Sequence, residues 1–103
     1  QQAVRALLAL PRPPTAIFAA SDIQAVSIMK VARQAHLRIP EDLAIVGFDD
    51  IDLAEFMDLT TIRQNLDESG RLAADILLSK RAEPGRSLQH INLPLTLIER
   101  QTA

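Results

Sequence analysis

The chain has no cysteine, no tryptophan and no tyrosine, only three glycines, and no excess of positive charge. Without cysteine there is no disulfide, no thiol redox centre and no thiolate zinc site, a composition that fits a cytoplasmic location. No Gly-rich phosphate loop, nucleophile elbow or Cys/His cluster is present. The apolar runs have strand length, far short of the roughly 18 residues that a membrane helix needs. No basic-then-apolar signal opens the chain. Eleven Lys and Arg stand against thirteen Asp and Glu, for a net charge of −2. The cations are scattered and form no stripe that could track phosphates, so this segment is not built to grip nucleic acid by itself. What remains is 48% apolar content over 103 residues, the composition of one small globular domain or of part of a larger one. The first residues already lie inside an amphipathic pattern, so a natural amino terminus is expected upstream of Gln1.

Two segments repeat one design. Thr15 to Ala20 is an apolar run that ends at Ser21-Asp22, and Leu43 to Phe48 is another that ends at Asp49-Asp50. Both are rich in Ile, Val or Phe and almost wholly apolar, as parallel strands covered on both faces by helices tend to be. Each is followed by helical periodicity, so both polar elbows are expected at one edge of one sheet. In open α/β sheets ligands settle outside the carboxyl ends of the strands, which makes the two elbows the first place to look for a site.

The rest of the chain alternates in the same way. Val4, Leu7 and Leu8 have helical spacing, and Pro11-Arg12-Pro13-Pro14 stops that helix. Ser21 with Gln24 predicts a capping box for a helix near 22–35, whose apolar face holds Ile23, Val26, Ile28, Met29, Ala32 and Ala35. Asp52 with Glu55 predicts the same for a short helix carrying Leu53, Ala54, Phe56 and Met57. Thr60 to Gln64 suits a short third strand or an extended crossing. Asn65 with Glu68 opens a helix to about residue 81, with Leu66, Gly70, Ala73, Ile76 and Leu77 as its buried face. Gln89 to Glu99 alternates through Ile91, Leu93, Leu95 and Leu97 and predicts a half-exposed strand broken at Pro94. Strands alternating with helices predict a three-layer α/β/α fold with a mostly parallel sheet.

The order and spacing of Pro14 to Asp22, Leu37 to Leu43, Val46 to Asp50, Leu59 to Gln64 and Leu97 to Arg100 resemble the lactose-repressor/galactose-repressor (LacI/GalR) family of bacterial transcription regulators. Each motif alone is weak; together they cover nearly the whole chain. The resemblance is to the carboxyl-terminal part of the family's periplasmic-binding-protein-like effector domain, a two-lobed structure that closes on a small molecule. It implies a small-molecule effector, a sugar or related polar metabolite, a homodimer, and contact with operator DNA only through a helix-turn-helix that this chain does not contain. No enzyme activity, cofactor, metal or membrane partner follows from it. By the same resemblance residues 14–63 and 95–100 belong to the carboxyl-terminal lobe and residues 65–93 to the other, with crossings near Gln64 and Pro94. Part of a periplasmic sugar-binding transport protein is the alternative on the same fold, and a receiver-like or hydrolytic enzyme using the Asp49-Asp50 pair is a third reading.

Three residues are candidates for ligand contact. Asp49 ends a strand at the binding edge, where a carboxylate can accept hydrogen bonds from vicinal hydroxyls or a ring N–H, although a turn acid that binds backbone N–H groups has the same sequence appearance. Ser21 offers a hydroxyl at the equivalent place on the first elbow, with helix capping as its structural alternative. Where many family members carry Asn there, this chain has Ser. Gln64 stands at the lobe crossing, as a ligand contact or a hinge residue. Asp22 reads as a helix amino-terminal charge, and Asp50 lacks the further ligands that a metal would need. His36, where the family often has Gly, is expected to strain a left-handed helix cap.

Overall fold

The computed structural model describes residues 1–103 in full, as four helices and four strands in alternation: α1 Gln2–Leu8, β1 Ala16–Phe18, α2 Asp22–Gln34, β2 Ala44–Asp49, α3 Asp52–Phe56, β3 Thr61–Arg63, α4 Leu66–Ala82 and β4 Thr96–Ile98. No helix is long and apolar enough to cross a membrane. The chain forms two compact units, Gln1–Arg63 with Thr96–Ala103, and Gln64–Leu95.

The first unit holds the whole sheet, in the order β1-β2-β3-β4. β1, β2 and β3 are parallel, and β4 returns antiparallel to β3. β2 pairs with β1 through Ala44 to Val46 and with β3 through Gly47 to Asp49. The seam between β2 and the start of β3 is completed from the far end of the chain. Ile45 N–H donates to the Thr102 carbonyl at 2.7 Å, the Thr102 hydroxyl donates to the Ile45 carbonyl at 2.6 Å, and Thr60 N–H donates to the same hydroxyl at 2.9 Å. The Ile45 N–H and carbonyl and the Thr60 N–H are thereby matched, as burial demands.

Helix α2 lies against β2, with α1 and α3 packed on α2. Ala25, Ile28, Met29 and Ala32 of α2 meet Leu43, Ile45, Ala54 and Leu59 in one core. Each of the large side chains buried there contributes about 1.5–3 kcal/mol relative to exposure. The buried stripe of α2 differs from the expected one: Ala25 and Val31 are inside, whereas Ile23 and Ala35 face outward. The opposite sheet face carries Phe18, Val46, Phe48, Ile62 and Leu97, with Phe18 63% and Leu97 52% exposed. Within this unit α2, with α1 and α3 packed on it, covers the other face of a mostly parallel α/β sheet. Phe18 and Phe48 meet edge to face on the open side, with centroids 6.3 Å apart.

None of the three glycines has a positive φ; His36 (58°), Asp49 (116°), Asp50 (56°) and Asp58 (51°) do. Two of these end helices. After α2, His36 N–H donates to Arg33 and Leu37 N–H to Ala32, and after α3 the same pair runs from Asp58 to Glu55 and from Leu59 to Ala54. Both are Schellman caps, with a residue other than glycine in the left-handed position. Asp tolerates that backbone better than His does. His36→Gly is therefore expected to raise the unfolding free energy by about 0.5–1 kcal/mol, read by chemical denaturation of the full-length protein. No change would mean that the imidazole makes a compensating contact.

The turn before β2 is closed by an ion pair. Arg38 reaches both oxygens of Asp42 through Nε at 2.8 Å and Nη2 at 2.7 Å, and its backbone N–H donates to the same carboxylate at 2.8 Å. The guanidinium hydrogen bond, followed by that of the backbone N–H, lowers the Asp42 carboxyl from 3.8 to about 2. A depressed carboxyl pKa contributes stability above its unfolded value and loses it as pH falls through the folded one. The melting-temperature gap between wild type and Asp42→Asn should thus be constant above 3.8 and close toward about 2. The pair is exposed, so the gap should also shrink in high salt. A gap independent of pH would exclude the fork.

In α3 the expected Asp52 cap is not made. The N-cap position is Ile51, without a side-chain bond, and Asp52 is the first helical residue, where its charge still suits the helix dipole. Ala54 is buried and Leu53 and Met57 half-buried, while Phe56 projects into solvent. The second unit consists of α4, capped by Asn65 Oδ1 accepting from Glu68 N–H at 3.2 Å, and the segment that follows it. Its apolar face also differs from expectation. Leu72, Ile76 and Ser79 are half-buried, whereas Leu66, Gly70, Ala73 and Leu77 are exposed and no α4 residue is fully buried. The predicted strand over 89–99 reduces to Thr96–Ile98, because only these residues have a sheet neighbour, β3, to pair with.

Candidate functional site

The two elbows leave the sheet side by side. Phe18 is in register with Val46, so Ser21 and Asp49 each stand three residues beyond that pair on adjacent parallel strands, at the carboxyl edge. Ser21 is extended (φ −158°, ψ 159°) and its hydroxyl accepts from Gln24 N–H at 3.3 Å, which makes it the cap of α2. It is half-buried, and a hydroxyl can still donate while it accepts. Asp49, also half-buried, is the last residue of β2 and turns the chain with its positive φ. Gln64 follows directly on Arg63, the register partner of Asp49, and opens the second unit. There Gln64 lines a recess of about 430 Å³ with Asn65, Ser69 and Asn92 among its walls.

The other two acids of the elbows are committed to structure. Asp22 is fully buried at the first position of α2. Its Oδ1 accepts from the Thr61 hydroxyl at 2.5 Å and its Oδ2 from Ile51 N–H at 2.9 Å. It thus ties the first elbow both to β3 and to the residue just past the second elbow. Gly47 makes room for it: a Cβ on Gly47 would overlap Asp22 Oδ1, with Leu59 and Thr61 close on the other sides. Asp50 is held by two arginines, Arg63 Nε at 2.6 Å and Arg100 Nη2 at 2.8 Å, while Arg100 Nη1 donates to the Leu59 carbonyl at 2.8 Å. Burial pushes the Asp50 carboxyl up; hydrogen bonds from Arg63 and Arg100, with their charges, outweigh it and hold the group below its ordinary value. Both carboxylate oxygens are occupied by guanidinium groups, which disfavours a metal-ligating or phosphoacceptor role for this acid.

Sequence reasoning placed Asp22 as a structural charge but gave it no partners, and it missed Thr61, Arg63, Arg100 and Gly47. Thr60-Thr61 and the isolated Gly in an apolar strand were the available signals, since a mid-strand Gly marks close approach by another group. Nothing in the linear order pairs Arg100 with a residue fifty positions earlier.

The family model for the periplasmic binding protein-like domain matches residues 1–103. The ribose operon repressor of Escherichia coli strain K12 is 43% identical over 103 residues, covering 98% of this chain and 31% of the repressor. Among solved structures, the transcriptional regulator LacI of Bacillus cereus subsp. cytotoxis has a TM-score of 0.95 at 32% identity, over 100% of this chain and 37% of that one. A LacI family regulator of Enterococcus faecalis V583, solved with bound ribose, has a TM-score of 0.88 at 35% identity, over 98% of this chain and 38% of that one. The chain spans about a third of the length of these relatives.

Proposed function

Because the chain belongs to the periplasmic-binding-protein-like domain family, in the form carried by LacI-family transcription regulators, we propose that it is the effector-sensing carboxyl-terminal portion of a sugar-responsive regulator. The observation that carries this reading is the pair Ser21 and Asp49 at the carboxyl ends of adjacent parallel strands. A carboxylate and a hydroxyl at one sheet edge suit the vicinal hydroxyls of a small neutral polyol. Arg63 and Arg100 are both engaged by Asp50, so neither guanidinium is set aside for a phosphorylated ligand. A small sugar such as ribose, named for two of the relatives, is the first to test. Asp49, Ser21 and Gln64 are the contacts assigned here. The unit Gln1–Arg63 with Thr96–Ala103 serves as the carboxyl-terminal lobe, and Gln64–Leu95 as part of the other lobe.

In the whole protein this portion senses the effector and takes part in a homodimer, and operator DNA is met by residues outside the chain. The protein works in the cytoplasm and is not an enzyme. The named relatives are regulators, which favours this reading over a periplasmic sugar carrier. Calorimetry of the full-length protein against ribose, other neutral pentoses and hexoses, and ribose 5-phosphate tests it. Saturable binding of a neutral sugar that alters the protein's affinity for its operator is the expected result. Binding of no sugar by a folded protein would overturn the ligand assignment.

A further inference from the structure

Asp49 and Asp50 are consecutive residues with left-handed backbone, and neither is glycine. Such a conformation persists only where its surroundings over-determine it. The surroundings are on view: the Asp50 carboxylate is held by Arg63 and Arg100, and the next peptide N–H, that of Ile51, is held by Asp22. Asp22 cannot drift to follow a moving elbow. It is fully buried, anchored through its other oxygen to Thr61, and seated where Gly47 leaves no side chain. Asp22 therefore joins three strands' worth of structure: it starts the helix after β1, grips β3, and fixes the residue two beyond Asp49.

We propose that Asp22 is a positioning residue for the binding edge: it locks the Ile51 peptide and so sets the direction in which Asp49 presents its carboxylate. The affinity consequence rests on the reading of Asp49 as a ligand contact, whereas the conformational consequence does not. A merely structural buried acid would lower stability without singling out this elbow. A positioning acid also frees the Ile51 peptide while the rest of the strand stays closed. Asparagine should rescue much of the effect. Its carbonyl can accept from Ile51 N–H and its NH₂ can donate to Thr61 Oγ1.

The test is hydrogen exchange and ligand binding on the full-length protein, comparing wild type, Asp22→Ala and Asp22→Asn at a temperature where all are folded. In Asp22→Ala the Ile51 amide should exchange about 30-fold faster or more, beyond any change at Ile45, from the loss of a charge-assisted hydrogen bond. Affinity for D-ribose should fall about tenfold or more, and Asp22→Asn should return both values most of the way. Equal acceleration at Ile51 and Ile45 would show a global destabilisation only and overturn the proposal. So would an Asp22→Ala protein that binds D-ribose as wild type does. If Asp22→Ala fails to fold, Thr61→Val removes only the anchor of the staple; selective acceleration at Ile51 then supports the proposal and its absence overturns it. A wild-type protein that ignores D-ribose counts against the ligand reading, and the exchange comparison still decides the staple.

Discussion

Asp49→Ala in the full-length protein is expected to weaken effector binding at least about 100-fold, since two charge-assisted hydrogen bonds of roughly 1.5–3 kcal/mol each are lost together. The fold and the affinity for operator DNA should change little, because Asp49 ends its strand half-buried at the sheet's edge and lies outside the core. Alanine accepts a φ of 116° less readily than aspartate does, so Asp49→Asn is the companion variant. Asparagine keeps the backbone preference and removes the charge, and it should retain part of the affinity. Titration calorimetry with the effector, alongside thermal melts, checks both. Unchanged affinity in Asp49→Ala would make the acid a turn residue only.

The largest stability effect is expected at Gly47→Ala. The added methyl group would overlap Asp22 Oδ1, with Leu59 and Thr61 closing the remaining space. Neither escape is cheap: moving the strand overpacks a core, at about 1–3 kcal/mol, and moving Asp22 breaks hydrogen bonds to a buried carboxylate worth about 1.5–3 kcal/mol each. A loss of several kcal/mol is comparable to much of the 5–15 kcal/mol by which domains are stable, so the variant should be largely unfolded or insoluble at 37 °C. Denaturant unfolding of the full-length protein, or its soluble yield, measures this. A variant within about 0.5 kcal/mol of wild type would show that Asp22 does not need the space.

The sequence made the alternation of elements legible because each segment carries its own period and stop signal. The Ser21 and Asn65 caps and the left-handed backbone at His36 are local features, and they were readable as such. Long-range partnership was not. The staple from Asp22 to Ile51 and Thr61 joins residues 29 and 39 positions apart. The clamp from Arg100 to Asp50 spans 50. A period-based reading identifies faces without saying what covers them. This is why it buried Leu66 and Leu77 of α4, which are exposed in this chain. The family resemblance supplied the missing context for the fold and marked the elbow of Asp49, but it carried no information about how that elbow is held.

The threonine that closes the seam between β2 and β3 has a consequence for the order of events during synthesis. Ile45 and Thr60 leave the ribosome some forty or more residues before Thr102, yet the Ile45 N–H and carbonyl and the Thr60 N–H are matched only when it arrives. Until then the nascent sheet must keep that edge wet or borrow a temporary partner. A stalled chain in which Arg63 has cleared the exit tunnel while Thr102 is still inside it should therefore be cut readily by protease near Ile45. One carried far enough for Thr102 to clear the exit tunnel should resist, so the clock for completing this sheet is set by the emergence of the residues that follow β4.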